Sequence, residues 1–166
     1  MELQTVMHPL EPFVPPGAEF LILGSFPSIK SREIGFYYGH PQNRFWRVLA
    51  AVFASPCPTT VEEKKSFLAA HKIALWDVIA SCEIRGSSDA SIRNALPNDI
   101  ASLTKSTGIR RIFINGKIAG ALYTQYIAKS TPLPACVLPS TSPANAACSL
   151  DKLIDAWKVI GLHTGG

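Results

Sequence analysis

The sequence predicts an α/β fold, a three-layer α/β/α sandwich around a central four-stranded, mainly parallel sheet. Three observations lead there. Short apolar runs of strand length, EFLILG, IALWDV, RRIFIN and ACVL, recur along the chain. Stretches with helical periodicity separate them, and strands joined by helical crossovers pair in parallel with both faces covered. At 166 residues, 47% apolar and only 17% charged, the chain can bury one core and reads as a single domain over residues 1–166.

Taken in order, residues 1–17 read as an irregular leader, because Pro9, Pro12, Pro15 and Pro16 each lack a backbone donor. Residues 19–24 form a buried strand that enters a tight turn at Gly24. Residues 25–42 carry glycines, prolines and three adjacent aromatics, which predicts a long ordered loop; such loops in compact domains are usually functional. Residues 43–54 have helical periodicity. Residues 60–71 form a second helix, with Thr60 as N-cap and Glu63 three positions on completing a capping box. Residues 73–78 make the second strand. Residues 89–106 read as a helical stretch broken near Pro97-Asn98-Asp99. Residues 110–115 are the third strand, closed by Gly116, followed by a helix over 117–129. Residues 135–138 are a short fourth strand, and residues 144–160 are the closing helix behind a proline-containing turn. There is no internal repeat and no low-complexity linker.

Composition excludes several classes. Sixteen Lys and Arg against twelve Asp and Glu give a net charge of +4, a mild excess compatible with a polyanionic partner. No apolar run approaches the ~20 residues of a membrane helix, and the first residues lack the basic-then-apolar pattern of a secretory signal. Cys57, Cys82, Cys136 and Cys148 are scattered with no C-x-x-C spacing, so no zinc or iron–sulfur site and no other cofactor is expected. Reduced thiols, a cytoplasmic setting and a monomer are the matching expectations.

In open α/β sheets ligands sit beyond the carboxyl ends of the strands. Here those ends are Gly24-Ser25-Phe26, Asp77, Asn115-Gly116 and Pro139-Ser140-Thr141. The segment GSFPS lets a backbone approach a ligand closely, yet it lacks the glycines and Lys-Ser/Thr of a phosphate-binding loop. GFYYGHPQNRFW, residues 35–46, is the most unusual stretch. Phe36, Tyr37 and Tyr38 either pack locally or offer a stacking surface to a flat ligand. His40 is a base or a turn residue. Asn43 is the N-cap of its helix or a polar group aimed into the site. Arg44 faces phosphate or solvent, and Phe45 and Trp46 pack into the core. Asp77, ending an apolar strand, is either satisfied by backbone amides or offered to a ligand. LPSTSPAN, with Ser140, Thr141 and Ser142 between two prolines, reads as a stiffened hydroxyl-rich loop suited to phosphate contacts, or as an ordinary capped helix start.

These residues together resemble the uracil-DNA glycosylase superfamily, and within it the hypoxanthine-DNA (deoxyinosine) glycosylase branch. The mismatch-specific uracil glycosylase branch is similar across residues 24–46. The likeness runs from Glu19 to about Trp157. It implies a catalytic Asp or Asn two positions after Gly24; Phe26 stands there instead. It implies Asn43 as the catalytic residue, Tyr38 as the aromatic that stacks on an extruded base, and Asp77 as the residue that reads its edge; the turn at Gly24, Ser25 and Phe26 is expected to supply a backbone N–H to the same base. Pro139, Ser140, Thr141 and Ser142 would pinch the DNA backbone. Lys30, Arg32 and Arg44 are candidate phosphate contacts. The expected function is a monofunctional DNA repair glycosylase. It would remove a deaminated base, foremost hypoxanthine, and leave an abasic site. A uracil or mismatch-specific glycosylase and a non-catalytic nucleic-acid-binding module on the same fold are the alternatives.

Overall fold

A computed structural model describes residues 2–164. Met1, where the expected leader begins, lies outside them. The central sheet has four parallel strands in the order β3–β2–β6–β7: β2 (Phe20–Gly24), β3 (Ile73–Asp77), β6 (Arg111–Asn115) and β7 (Ala135–Leu138). The register places Gly24 opposite Asp77 and Asn115 opposite Leu138. All four strands therefore end together, and the loops that follow them share one edge of the sheet.

Strand side chains alternate between faces, and β2 shows it directly. Phe20 and Ile22 enter one apolar cluster with Phe45, Leu49, Phe67, Leu68 and Trp157. Leu21 and Leu23 enter another with Ile79, Ile84, Ile100, Ile112 and Tyr123. The first cluster lies under α2 (Phe45–Val52), α3 (Val61–Ala70) and α6 (Leu150–Thr164). The second lies under α4 (Ile100–Lys105) and α5 (Lys117–Tyr126). The expected three layers and the parallel sheet are present. The Thr60 capping box is also formed: the hydroxyl takes the Glu63 N–H, and the Glu63 carboxylate takes the Thr60 N–H.

Four readings are corrected. The leader is not irregular throughout, because Leu3–Met7 forms β1, which pairs antiparallel with β4 (Ile79–Arg85). The prolines begin only after it. Farther on, Phe13 and Leu75 exchange backbone hydrogen bonds, so the leader also seals the outer edge of β3. Residues 89–106 are not one helix. They hold a 3-10 turn at Asp89–Ser91, then β5 (Arg93–Pro97), then α4. Strand β5 completes a second, antiparallel sheet, β1–β4–β5, and its closing proline is tolerated because β5 is an edge strand. The long loop contains a short helix, α1 (Ile29–Ile34), capped by Ser28. The closing helix starts at Leu150 rather than at 144, because backbone bonds from Asn145 to Ser142 and from Cys148 to Asn145 fold residues 142–148 into turns. Among the described residues, no helix is long and apolar enough to cross a membrane.

Trp157 is fully buried and its indole N–H donates to the Pro139 carbonyl at 2.9 Å, so one side chain ties the closing helix to the loop after β7. Trp157→Ala should lower stability by about 3–5 kcal/mol, read as a reduced urea midpoint.

Candidate active site

The cleft at the strand ends encloses about 280 Å³, close to the lower bound of about 300 Å³ for small-molecule sites. It gathers residues from every strand end: Gly24, Ser25 and Phe26 after β2, Asp77 on β3, Asn115 on β6, and Ser140, Thr141 and Ser142 after β7. Tyr38, His40 and Asn43 border it from the aromatic segment, and Asp89 from the β4–β5 turn.

Asp77 is held by a residue that sequence reading passed over. His8, just beyond β1, donates from Nε2 to Asp77 Oδ2 at 2.8 Å, and the two side chains are 3% and 4% exposed. Leu10 N–H donates to His8 Nδ1. That atom must therefore carry a lone pair, so the imidazole is the neutral Nε2–H tautomer. The other carboxylate oxygen lies against Gly24. A Cβ at position 24 would stand 2.5 Å from Asp77 Oδ1 and 3.1 Å from the Tyr38 hydroxyl, so only glycine leaves room for both groups.

Asn43 sits in a chain of side-chain bonds whose orientation is fixed by two backbone donors. Thr141 N–H donates to Asn115 Oδ1 at 3.0 Å, which turns Asn115 Nδ2 toward the Thr141 hydroxyl, also at 3.0 Å. The hydroxyl then donates to Asn43 Oδ1 at 2.8 Å, and Phe45 N–H donates to the same oxygen. With Oδ1 occupied twice, Asn43 has only its Nδ2–H donors left for a ligand. Asn43 thus accepts from the first turn of α2, one residue before the Arg44 N-cap, and lines the cleft.

The aromatic segment divides its work. Phe36 stacks near-parallel on Trp46 and meets Phe13 edge-on. Tyr37 donates its hydroxyl to the Glu11 carbonyl at 2.9 Å. Both pack locally. Tyr38 stacks on Phe45 with centroids 3.8 Å apart and planes 16° from parallel, so one ring face is taken. The ring also lines the cleft. The Tyr38 hydroxyl is buried beside Asn115 yet makes no hydrogen bond, and burial followed by the Asp77 charge holds it protonated far above the ordinary tyrosine range. Tyr38 also has φ +53°, a left-handed conformation of the kind that persists where surrounding structure imposes it. Phe26 packs edge-on against His8 and forms a wall of the cleft.

Several expected DNA contacts have other duties. The Arg44 guanidinium donates to the carbonyls of Cys148, Ser142 at 3.1 Å and Asn145 at 3.0 Å, and the Arg44 N–H donates to the Thr141 carbonyl. It clamps the loop from inside rather than facing phosphate. Arg32 is likewise spent on the Gly86 and Ser28 carbonyls. Thr141 is wholly buried and bridges the two asparagines, and Pro139 accepts from Trp157. Ser140 and Ser142 line the cleft, and Lys30 is exposed.

Three comparisons with known proteins bear on the family and the fold. Residues 11–160 match the family model of the uracil DNA glycosylase superfamily. A hypoxanthine DNA glycosylase of Methanosarcina acetivorans is 33% identical over 147 residues, 87% of this chain and 91% of that protein. Its namesake in Methanosarcina barkeri is 30% identical over 136 residues, 81% and 85% of the respective lengths. The solution NMR structure of a protein described as a candidate uracil DNA glycosylase from M. acetivorans superposes with a TM-score of 0.81 at 31% identity. It covers 95% of this chain and 97% of that one. The fold is that of the uracil DNA glycosylases, and the chain is a DNA N-glycosylase. The chain belongs to the uracil DNA glycosylase superfamily.

Two substitutions check the geometry. Gly24→Ala should displace the Asp77 carboxylate and cut base excision at least about tenfold, the effect of 1.4 kcal/mol in the barrier, with an unchanged circular dichroism spectrum. Arg44→Ala should cost about 1–3 kcal/mol of stability through the carbonyls it abandons. The slope of log Kd for DNA against log salt should stay at its parental value, since no phosphate contact is removed.

Proposed function

We propose that this chain removes hypoxanthine from DNA by turning deoxyinosine into the strand-end cleft and hydrolysing its glycosidic bond. The substrate named for the two Methanosarcina relatives supports the choice of base. The observation that carries the reading is the Asn43 amide, whose oxygen is saturated by Thr141 and Phe45 and whose N–H donors are left for the cleft.

A base stacked in a duplex must be rotated out before its bond to the sugar can be attacked. The Tyr38 ring stacks on it. Hypoxanthine presents an N1–H donor and an O6 acceptor; Asp77 Oδ1 takes the first, and a backbone N–H of Ser25 or Phe26 meets the second. Bond breaking leaves positive charge on the sugar and negative charge on the departing base. The Asn43 donors hold the attacking water by its oxygen, and their contribution is positioning and electrostatics. Asn43 cannot remove a proton from that water. No lysine is among the described residues lining the cleft, so there is no amine there to form a Schiff base, and the product is an intact strand with an abasic site. Ser140, Ser142 and Lys30 contact the DNA backbone at the rim. A uracil-excising enzyme is the second reading, favoured by the description of the structural relative.

Duplexes containing inosine or uracil, incubated with protein and then treated with alkali, test the proposal. Inosine-dependent cleavage should dominate, and Asn43→Ala should lower it about 10²–10³-fold, as for loss of one preorganised donor. Parental activity in that variant would remove Asn43 from the mechanism.

A further inference from the structure

Hydrolysis of a glycosidic bond releases a proton from the attacking water, and few groups in the cleft can accept it. Asn43 is neutral. His40 accepts the Gln42 N–H at Nδ1, so its neutral ring carries a hydrogen on Nε2 and has no second lone pair. Asp77 is committed on one oxygen to His8 and, in the proposed pose, on the other to the N1–H of the base. Asp89 remains.

Asp89 reaches the cleft because the turn that carries it is fastened to α1. Ser87 Oγ accepts the Ile29 N–H at 2.9 Å, and Arg32 donates to the Gly86 carbonyl at 3.0 Å. Ser91 stiffens the turn, accepting from Arg85 N–H at 2.8 Å and donating to the Ser88 carbonyl at 2.6 Å. These bonds lay residues 86–91 over the GSFPS segment and set Asp89 opposite Ser25, on the wall of the cavity that Asn43 also lines.

We propose that Asp89 is the general base, taking the proton of the water that Asn43 positions. This rests on the glycosylase reading. The water oxygen bonds to C1′ as the bond from C1′ to N9 breaks. The electron pair of that bond leaves on N9, the water proton passes to an Asp89 oxygen, and the proton then returns to the departing base or to solvent. The products are the free base and an abasic deoxyribose.

The surroundings suit the task. The titratable and charged groups that face Asp89 are Asp77 on β3, Cys82 on β4, Tyr38 from the loop before α2 and Arg32 on α1, whose guanidinium holds the turn. Arg85 and Arg93 flank the turn on β4 and β5. Burial, then the Asp77 charge, pushes Asp89 up to about 6, with the nearby Ser25 side chain acting the other way. Burial pushes Cys82 up to about 11 and raises Tyr38 as well, so both stay neutral. A carboxylate at about 6 is ionised at neutral pH and still a useful proton acceptor.

The test measures single-turnover excision of inosine between pH 4.5 and 8.5. The parental rate should rise about tenfold per pH unit below 6 and level off above it. Asp89→Asn should lose about 10²–10⁴-fold in rate, bind inosine DNA within a few-fold of the parent, and show no rise through pH 6. Asp89→Glu should recover part of the rate. If Asp89→Asn does not fold, the parental profile and Asp89→Glu decide alone. An active parent with an equally active Asp89→Asn, or a parental rate that falls as pH rises through 6, overturns the base assignment and leaves the glycosylase reading standing. A parent that releases no base from inosine or uracil duplexes overturns both.

Discussion

The Thr141 hydroxyl is the joint on which the cleft depends. It accepts from Asn115 at the end of β6 and donates to Asn43 at the start of α2. Both amides are oriented by backbone N–H donors that cannot reverse roles. Buried polar groups are costly unless every member is satisfied, and here each link is filled. The result is a rigid path from the central sheet to the first helix of the aromatic segment, with a single amide group pointing out of it. Preorganisation of this kind means a donor need not be reordered when charge develops in the reaction.

Around that joint, two further constraints shape the pocket from opposite sides. On one side, the leader brings His8 to Asp77 and spends an imidazole hydrogen on a buried carboxylate. The register of β2 against β3 makes this possible, because it sets Asp77 beside a glycine. On the other, Arg44 gathers three carbonyls of the loop after β7 and keeps Ser140 to Ser142 at the rim. Gly116 belongs to the same side. Its φ of +103° favours glycine, and a Cβ there would stand 3.0 Å from Ser140, so β6 and the loop close on each other without a side chain between them.

The second sheet has a role beyond covering one face of the first. Its β1 strand runs straight into His8, and its β4–β5 turn carries Asp89. Two acidic side chains thus enter one cleft from different layers, one tied to a histidine and one raised by burial and by its acidic neighbour. Pairs of carboxylates with unequal surroundings are a recurrent way to divide chemical roles.

Much of this was legible in the chain itself. Apolar runs of four to six residues with helical spacing between them determined the parallel sheet, because strands covered on both faces read that way. The capping box and the strand-end positions of Gly24, Asp77, Asn115 and Ser140 followed from local chemistry. What the chain could not disclose was long-range pairing. Strand β1 has no partner until β4 is laid against it, and β5 is short, pairs with β4 across register shifts and is largely exposed, so local periodicity mistook it for part of a helix. For the same reason His8 and Asp89 gave no signal, since each acquires its meaning from a neighbour far away in sequence. Arg44 and Thr141 were legible as polar residues near the site, but whether they turn outward to a phosphate or inward to carbonyls and amides was decided only when the loop after β7 folded against α2.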